Sequence, residues 1–151
     1  MININIDEKP ISISLRYNAY YKLVLLLAII YYCGYGKKAS LIVIHIVFWG
    51  LRNNENFEIL LQLKKEERKT LVPWAFEHGM DNILSIGVAN GLISRIKVTD
   101  DLTFSITEQG ISLLKTIYDN KYFPEDMEKI KSLKVLPKAK IERANQNWNL
   151  F

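Results

Sequence analysis

Cysteine is almost missing from this chain: among 151 residues there is only Cys33. A single thiol excludes an internal disulfide and any cysteine-based zinc site. Cys33 lies in an apolar run, which reads as a buried, inert thiol rather than a nucleophile. Histidine is nearly as scarce, with only His45 and His78. That leaves no Ser/His/Asp or Cys/His set to read, and no metal site. His45 is the only ionisable residue in an otherwise apolar helix and reads as a satisfied core histidine. Glycine clusters twice, in GYGKK and GVANG, but neither has the spacing of a phosphate loop. The paired acids Asp100-Asp101 and Glu125-Asp126 are explained by a turn and a helix start. Neither an enzyme nor a bound cofactor is expected.

Long apolar runs are lacking too. The longest, Leu23 to Cys33 (LVLLLAIIYYC), reaches only about half of the ~20 residues that a bilayer needs. No membrane span is expected. The start, MININIDEKP, lacks the basic region and apolar core of a signal peptide, so the cytoplasm is the expected compartment. Net charge is +4 and the pI about 9.1, a mild excess that permits nucleic-acid contact without demanding it. Half of the residues are hydrophobic (49%), enough for a real core.

What is present centres on Asp81 to Asn120. Asp81 opens a helix whose apolar positions are Ile83, Leu84, Ile86, Gly87 and Val88, and Asn90-Gly91 stops it. Leu92 to Val98 alternates, with Leu92, Ile96 and Val98 apolar and Ser94, Arg95 and Lys97 polar. Thr99-Asp100-Asp101 supplies turn chemistry. Leu102 to Ile106 alternates again, and Thr107 opens a second helix. Ile96, Leu102, Phe104 and Ile106 are expected on the buried side. Helix, β-hairpin and closing helix in this order form the back half of a winged-helix domain, the hairpin being the wing.

Upstream, Ile2, Ile4 and Ile6, then Ile11, Ile13 and Leu15, alternate with polar residues and suggest extended segments, one a candidate extra strand beside the wing. Ser14 reads as the N-cap of a helix running to about Cys33, with Gly34 ending it. A second helix runs from Lys38 or Ser40 to Leu51. Both helices are apolar nearly all round. Either they fill this domain's own core, or part of their surface, with Trp49, is buried against another protein. Asn56 to about Lys69 reads as an amphipathic helix ending in a KKEERK run. Thr70 to Gly79 breaks the pattern, with Trp74 and Phe76 packing back on the core. Pro124-Glu125-Asp126 starts another helix, and Lys138 to Phe151 is a last helix or loose tail. The division is an extended arm over 1–14, a winged-helix domain over 15–120 and a helical tail over 121–151. The fold class is mainly α with a small β-hairpin (α+β), a winged helix-turn-helix with helical extensions at both ends.

Three segments carry a resemblance to a known family: KKASLIVIHIVFWGLRNNENFEILLQLKK, the helix ending VANGLISR, and FSITEQGISLLKTI. Over about Leu23 to Ile117 the chain resembles the middle components of ABC-three-component, Lamassu-type anti-phage defence systems of bacteria. The resemblance implies a non-enzymatic subunit that bridges an SMC/Rad50-like ATPase and an effector, often a nuclease. The alternative is a winged-helix DNA-binding transcriptional regulator. A winged helix places the helix before its wing in the major groove. Here that helix has no Lys or Arg, the residues that neutralise phosphates and make the commonest base contact. Sequence-blind contact with the DNA backbone remains open through Lys64, Lys65, Arg68 and Lys69, or through Arg95 and Lys97. The terminal Trp148, Leu150 and Phe151 are poor choices for a free surface and are expected to dock on a partner.

Overall fold

A computed structural model describes residues 18–98 and 101–148, with side chains through 18–96 and 101–146. The extended arm, Ser14, the tip of the hairpin turn, Leu150 and Phe151 lie outside the described residues. Helix α1 (Ala19–Ala28) is capped by Asn18, whose Oδ1 accepts the N–H groups of Tyr20 and Tyr21 at 2.8 and 3.2 Å. The helix then widens into a π-helical segment, Ile29–Cys33. Gly36 and Lys37 turn the chain with φ of 60° and 61°, and Lys38 N–H closes the turn on the Tyr35 carbonyl at 3.2 Å. Two consecutive left-handed residues are what a tight hairpin turn requires.

Strand β1 (Lys38–Ser40) leads into α2 (Leu41–Gly50) and α3 (Asn54–Lys64). The stretch 65–79 has no regular structure. Then come α4 (Met80–Ala89), β2 (Ile93–Val98), β3 (Asp101–Ile106), α5 (Glu108–Asp119), α6 (Pro124–Leu133) and α7 (Lys138–Trp148). The molecule is mainly helical, with one antiparallel three-stranded sheet in the order β1-β3-β2.

Several expectations need correction. The strand beside the hairpin is Lys38–Ser40, pairing Ala39 with Phe104. The alternating residues near the start, the candidate for a strand beside the wing, lie outside the described residues. Gly79, left-handed at φ 75°, precedes α4, so Asp81 sits inside the first turn rather than capping it. Phe104 and Ile106 of β3 are buried as expected, but β2 alternates one residue out of phase with the expected pattern. Register pairs Ile93 with Ile106 and Arg95 with Phe104, so Ile93, 2% exposed, faces the core. Ile96, opposite Thr103, lies on the other face. A polar pair between two apolar positions hid this, because Ile93 adjoins Leu92 and either could set the phase. Phe76 is 64% exposed, although its ring stacks on His45 at 4.3 Å.

The two apolar helices are enclosed by the chain itself. Leu26, Leu27, Ala28, Ile29, Ile30, Ile44, Ile46 and Val47 are fully buried. Helix α1 packs against α4, α5 and α6, and α6 also covers the π-helical segment. The Leu136 N–H bonds to the Cys33 carbonyl at 3.0 Å. Met127, Ile130, Leu133, Leu136, Ile141 and Ala144 belong to the same core as α1 and α2. Trp49, expected on a partner surface, is 5% exposed and part of that core. The residues after 120 supply the apolar cover that a lone helical pair lacks, so burial needs no second protein.

Candidate functional site

Thr107 fixes the hairpin to its helices. Its N–H donates to the Leu92 carbonyl at 3.0 Å, and its Oγ1 accepts from Gly110 N–H at 3.0 Å, capping α5. A Cβ on Gly110 would collide with the Leu92 carbonyl oxygen, so glycine lets α5 approach the turn after α4. This joint holds α4 and the sheet at a fixed angle. Between them lies a groove of about 470 Å³ whose lining includes Asp81, Leu84, Val88, Arg95, Leu102 and Phe104. The outward residues of α4 are Asp81, Asn82, Ser85, Val88 and Ala89, and Val88 is 43% exposed. Arg95 is exposed at the rim. Lys97 lies opposite Leu102 in the register, and its side chain is outside the described residues.

The second region is basic. Helix α3 ends at Lys64, the first residue of the KKEERK run, because Glu66 is left-handed (φ 61°) and Glu67 N–H returns to the Gln62 carbonyl at 2.9 Å. The charged run is thus a turn against α7. Lys64 Nζ donates to the Leu133 carbonyl, which occupies it inside the protein. Burial lowers its pKa; Cys33 acts the other way, and Lys134 and Lys140 add to the lowering. Lys65 and Lys69 are exposed and Arg68 is half-buried. Arg68 and Lys69 share a depression of about 330 Å³ with Glu66, Lys140 and Arg143. Arg68 and Lys69 line one depression and Arg95 another, while Lys64 and Lys65 line neither. Trp148 ends α7, with its side chain outside the described residues.

A third constellation is buried. Glu77, 4% exposed at its side chain, meets Lys22 Nζ and Arg52 Nη2 at 3.1 Å each. Lys22 also donates to the His78 carbonyl at 2.9 Å, and Glu77 N–H donates to His45 Nδ1 at 3.0 Å. Burial pushes the Glu77 carboxyl up, but hydrogen bonds and charge from Lys22 and Arg52 outweigh it and hold the pKa below the usual range. Burial lowers the His45 pKa, against smaller opposing effects of Glu77 and Asp81. Burial, opposed by a smaller effect of Lys64, pushes Cys33 up to about 12, so the thiol is inert at neutral pH.

Sequence reasoning missed this charged cluster. Its members lie far apart in the chain, and each is an ordinary polar residue in its own segment. Lys140 and Arg143 were also missed at the basic depression. Their three-residue spacing on an amphipathic helix was the available signal. The chemistry on offer is electrostatic and adhesive: a groove with an apolar floor, a basic depression and a buried ionic anchor. Among the described residues, no helix is long and apolar enough to cross a membrane. No group of three or more His, Cys, Asp or Glu among them is placed to hold a metal ion. Compared with known proteins, the chain matches no protein-family model, no curated protein and no solved structure.

Proposed function

We propose that this chain is a non-catalytic interaction subunit of a bacterial anti-phage defence complex, acting in the cytoplasm. It joins an SMC/Rad50-like ATPase to an effector nuclease. The helices α1, α2 and α4, the strand β1 and the hairpin β2–β3 are read as a winged helix, with α3 as an insertion. The observation that carries the reading is the outward face of α4. In a DNA-reading winged helix that face meets phosphates and base edges and needs cations. Here it presents Asp81, Asn82 and Ser85 beside an exposed Val88, over a groove floored by Leu84, Leu102 and Phe104. An apolar floor with a sparse polar rim suits a protein partner. The three segments that carry the family resemblance fall on β1–α2–α3, on α4–β2 and on β3–α5, and the last two include residues that line this groove.

The test is co-expression with the ATPase and effector genes of the same operon, followed by affinity capture of this subunit. Both should co-purify, and Val88→Lys in the groove should weaken capture of one of them. Duplex DNA should bind the isolated chain weakly, without sequence preference and with strong salt dependence. Tight, sequence-selective DNA binding that survives moderate salt would make the chain a transcriptional regulator instead.

A further inference from the structure

The depression between the end of α3 and the face of α7 gathers four cationic residues, Arg68, Lys69, Lys140 and Arg143, around one carboxylate, Glu66. Like charges lining one depression raise its potential and favour an anion there. The cations are also positioned. Lys140 Nζ is fixed by the Lys64 carbonyl at 2.7 Å. The enclosed Nε of Arg68 has no acceptor among the described residues. Glu66 Oε1 stands 3.6 Å from Lys140 Nζ on a side chain that is 75% exposed, so it can swing out when a stronger anion arrives.

We infer that this depression is a binding site for a terminal phosphate group, which displaces the Glu66 carboxylate and is held by Arg68, Lys140 and Arg143. Arginine matches phosphate oxygens in a two-pronged geometry, and the lysine adds a point charge. A terminal phosphate fits better than a backbone phosphate. It projects from its molecule into a concave site and carries about −1.5 to −2 at neutral pH. A backbone diester has a single charge and lies along a convex rod. Two sources share this chemistry: a free nucleotide, and the 5′-phosphorylated end of a nucleic-acid strand. The site deepens the proposed sequence-blind nucleic-acid contact and rests on that part of the functional reading, but it does not depend on any partner subunit.

The experiment is calorimetric titration of the full chain at low salt with pyrophosphate, with ATP, and with one short oligonucleotide carrying either a 5′-phosphate or a 5′-hydroxyl. Pyrophosphate should bind saturably with a dissociation constant of about 1 mM or tighter. Arg143→Gln and Arg68→Gln should each weaken it tenfold or more. Lys115→Gln, an exposed lysine on α5 outside the lining, should leave it unchanged. Arg143 is exposed and, among the described residues, bonded only to its own helix, through Nε to the Ala139 carbonyl at 3.4 Å, so its variant tests the site even if Arg68→Gln misfolds. A preference for the 5′-phosphorylated strand over the hydroxyl form identifies a strand end as the source. Equal, weak binding of both strands with ATP binding retained identifies a nucleotide. No saturable pyrophosphate binding, or binding that Arg143→Gln leaves intact, overturns the inference. Failure of co-purification with an ATPase or effector would leave these titrations unaffected, so the two readings fail separately.

Discussion

His45, in the middle of α2, accepts the backbone N–H of Glu77 on its Nδ1 at 3.0 Å. The bond requires Nδ1 to carry no proton, so the imidazole is neutral with its hydrogen on Nε2. It ties the irregular stretch after α3 to the centre of the core. The same stretch is held through the Glu77 side chain by Lys22 of α1 and by Arg52 just after α2.

That anchor is expected to be worth several kcal/mol when broken from one side. Glu77→Ala leaves Lys22 charged and largely buried beside Arg52. Loss of one partner of a buried ion pair costs on the order of 3–5 kcal/mol. Urea unfolding of the variant should show a lower midpoint by a corresponding amount. A change under about 1 kcal/mol would mean that water reaches the cluster and screens it.

Acid should weaken the fold in two stages. His45 and Glu77 both have folded pKa values below their unfolded ones. Each therefore contributes stability that is present above its unfolded pKa and is lost as pH falls. The histidine contribution fades from about pH 6.5 downward, and the glutamate contribution from about pH 4.3 downward. Melting temperature measured from pH 8 to about pH 2 should fall first in the histidine window. His45→Gln, which keeps an acceptor for the Glu77 N–H, should flatten that first stage and leave the second.

Gly110→Ala should destabilise by about 1–3 kcal/mol, because the added methyl meets backbone that cannot give way. The Leu92 carbonyl oxygen blocks it on one side, and Ile106 Cγ1 stands 2.7 Å away on another. Gly36 has no atom within 4 Å of such a Cβ, though its φ is +60°. Thermal unfolding of the two alanine variants separates a collision from a purely conformational cost.

Lys121→Gly should stabilise. Lys121 ends α5 in the left-handed conformation at φ 57°, with Tyr122 N–H returning to the Ile117 carbonyl at 3.2 Å. A side chain there costs roughly 1–2 kcal/mol that glycine avoids, offset by the greater freedom of glycine in the unfolded chain. A net gain of about 0.5–1 kcal/mol is expected in chemical denaturation.

Ile130→Ala tests whether the last helices are part of the fold. Ile130 is fully buried beside α1 and its π-helical extension. Truncation should cost about 2–5 kcal/mol in global unfolding. An unchanged transition would show that α6 detaches before the rest unfolds.

The same helix ends explain how much could be read in advance. Helix α4 stops at Asn90-Gly91, and its end was legible because glycine is the usual left-handed residue. Helices α3 and α5 stop by the same hydrogen-bond pattern but with Glu66 and Lys121 in that role. Nothing in a glutamate or a lysine announces such a stop, so α3 was read through to about Lys69. The hairpin and the phase of β3 were legible and the phase of β2 was not, since Leu92-Ile93 offers two starts and only the pairing with β3 chooses. The basic run was visible as charge. That it forms one wall of a depression depends on Lys140 and Arg143, which only the tertiary fold brings there.

Cys33 and Leu136, joined by their backbone bond, bring together early and late parts of the chain. The ribosome delivers the apolar stretch of α1 and the whole of α2 well before the segment that covers them. Through that interval β1 also waits for β3, its only neighbour in the described sheet. The nascent chain therefore holds uncovered oily surface for most of its synthesis, the condition under which chaperones engage and aggregation competes. A stop codon anywhere in α6 would leave an insoluble fragment rather than a smaller working protein.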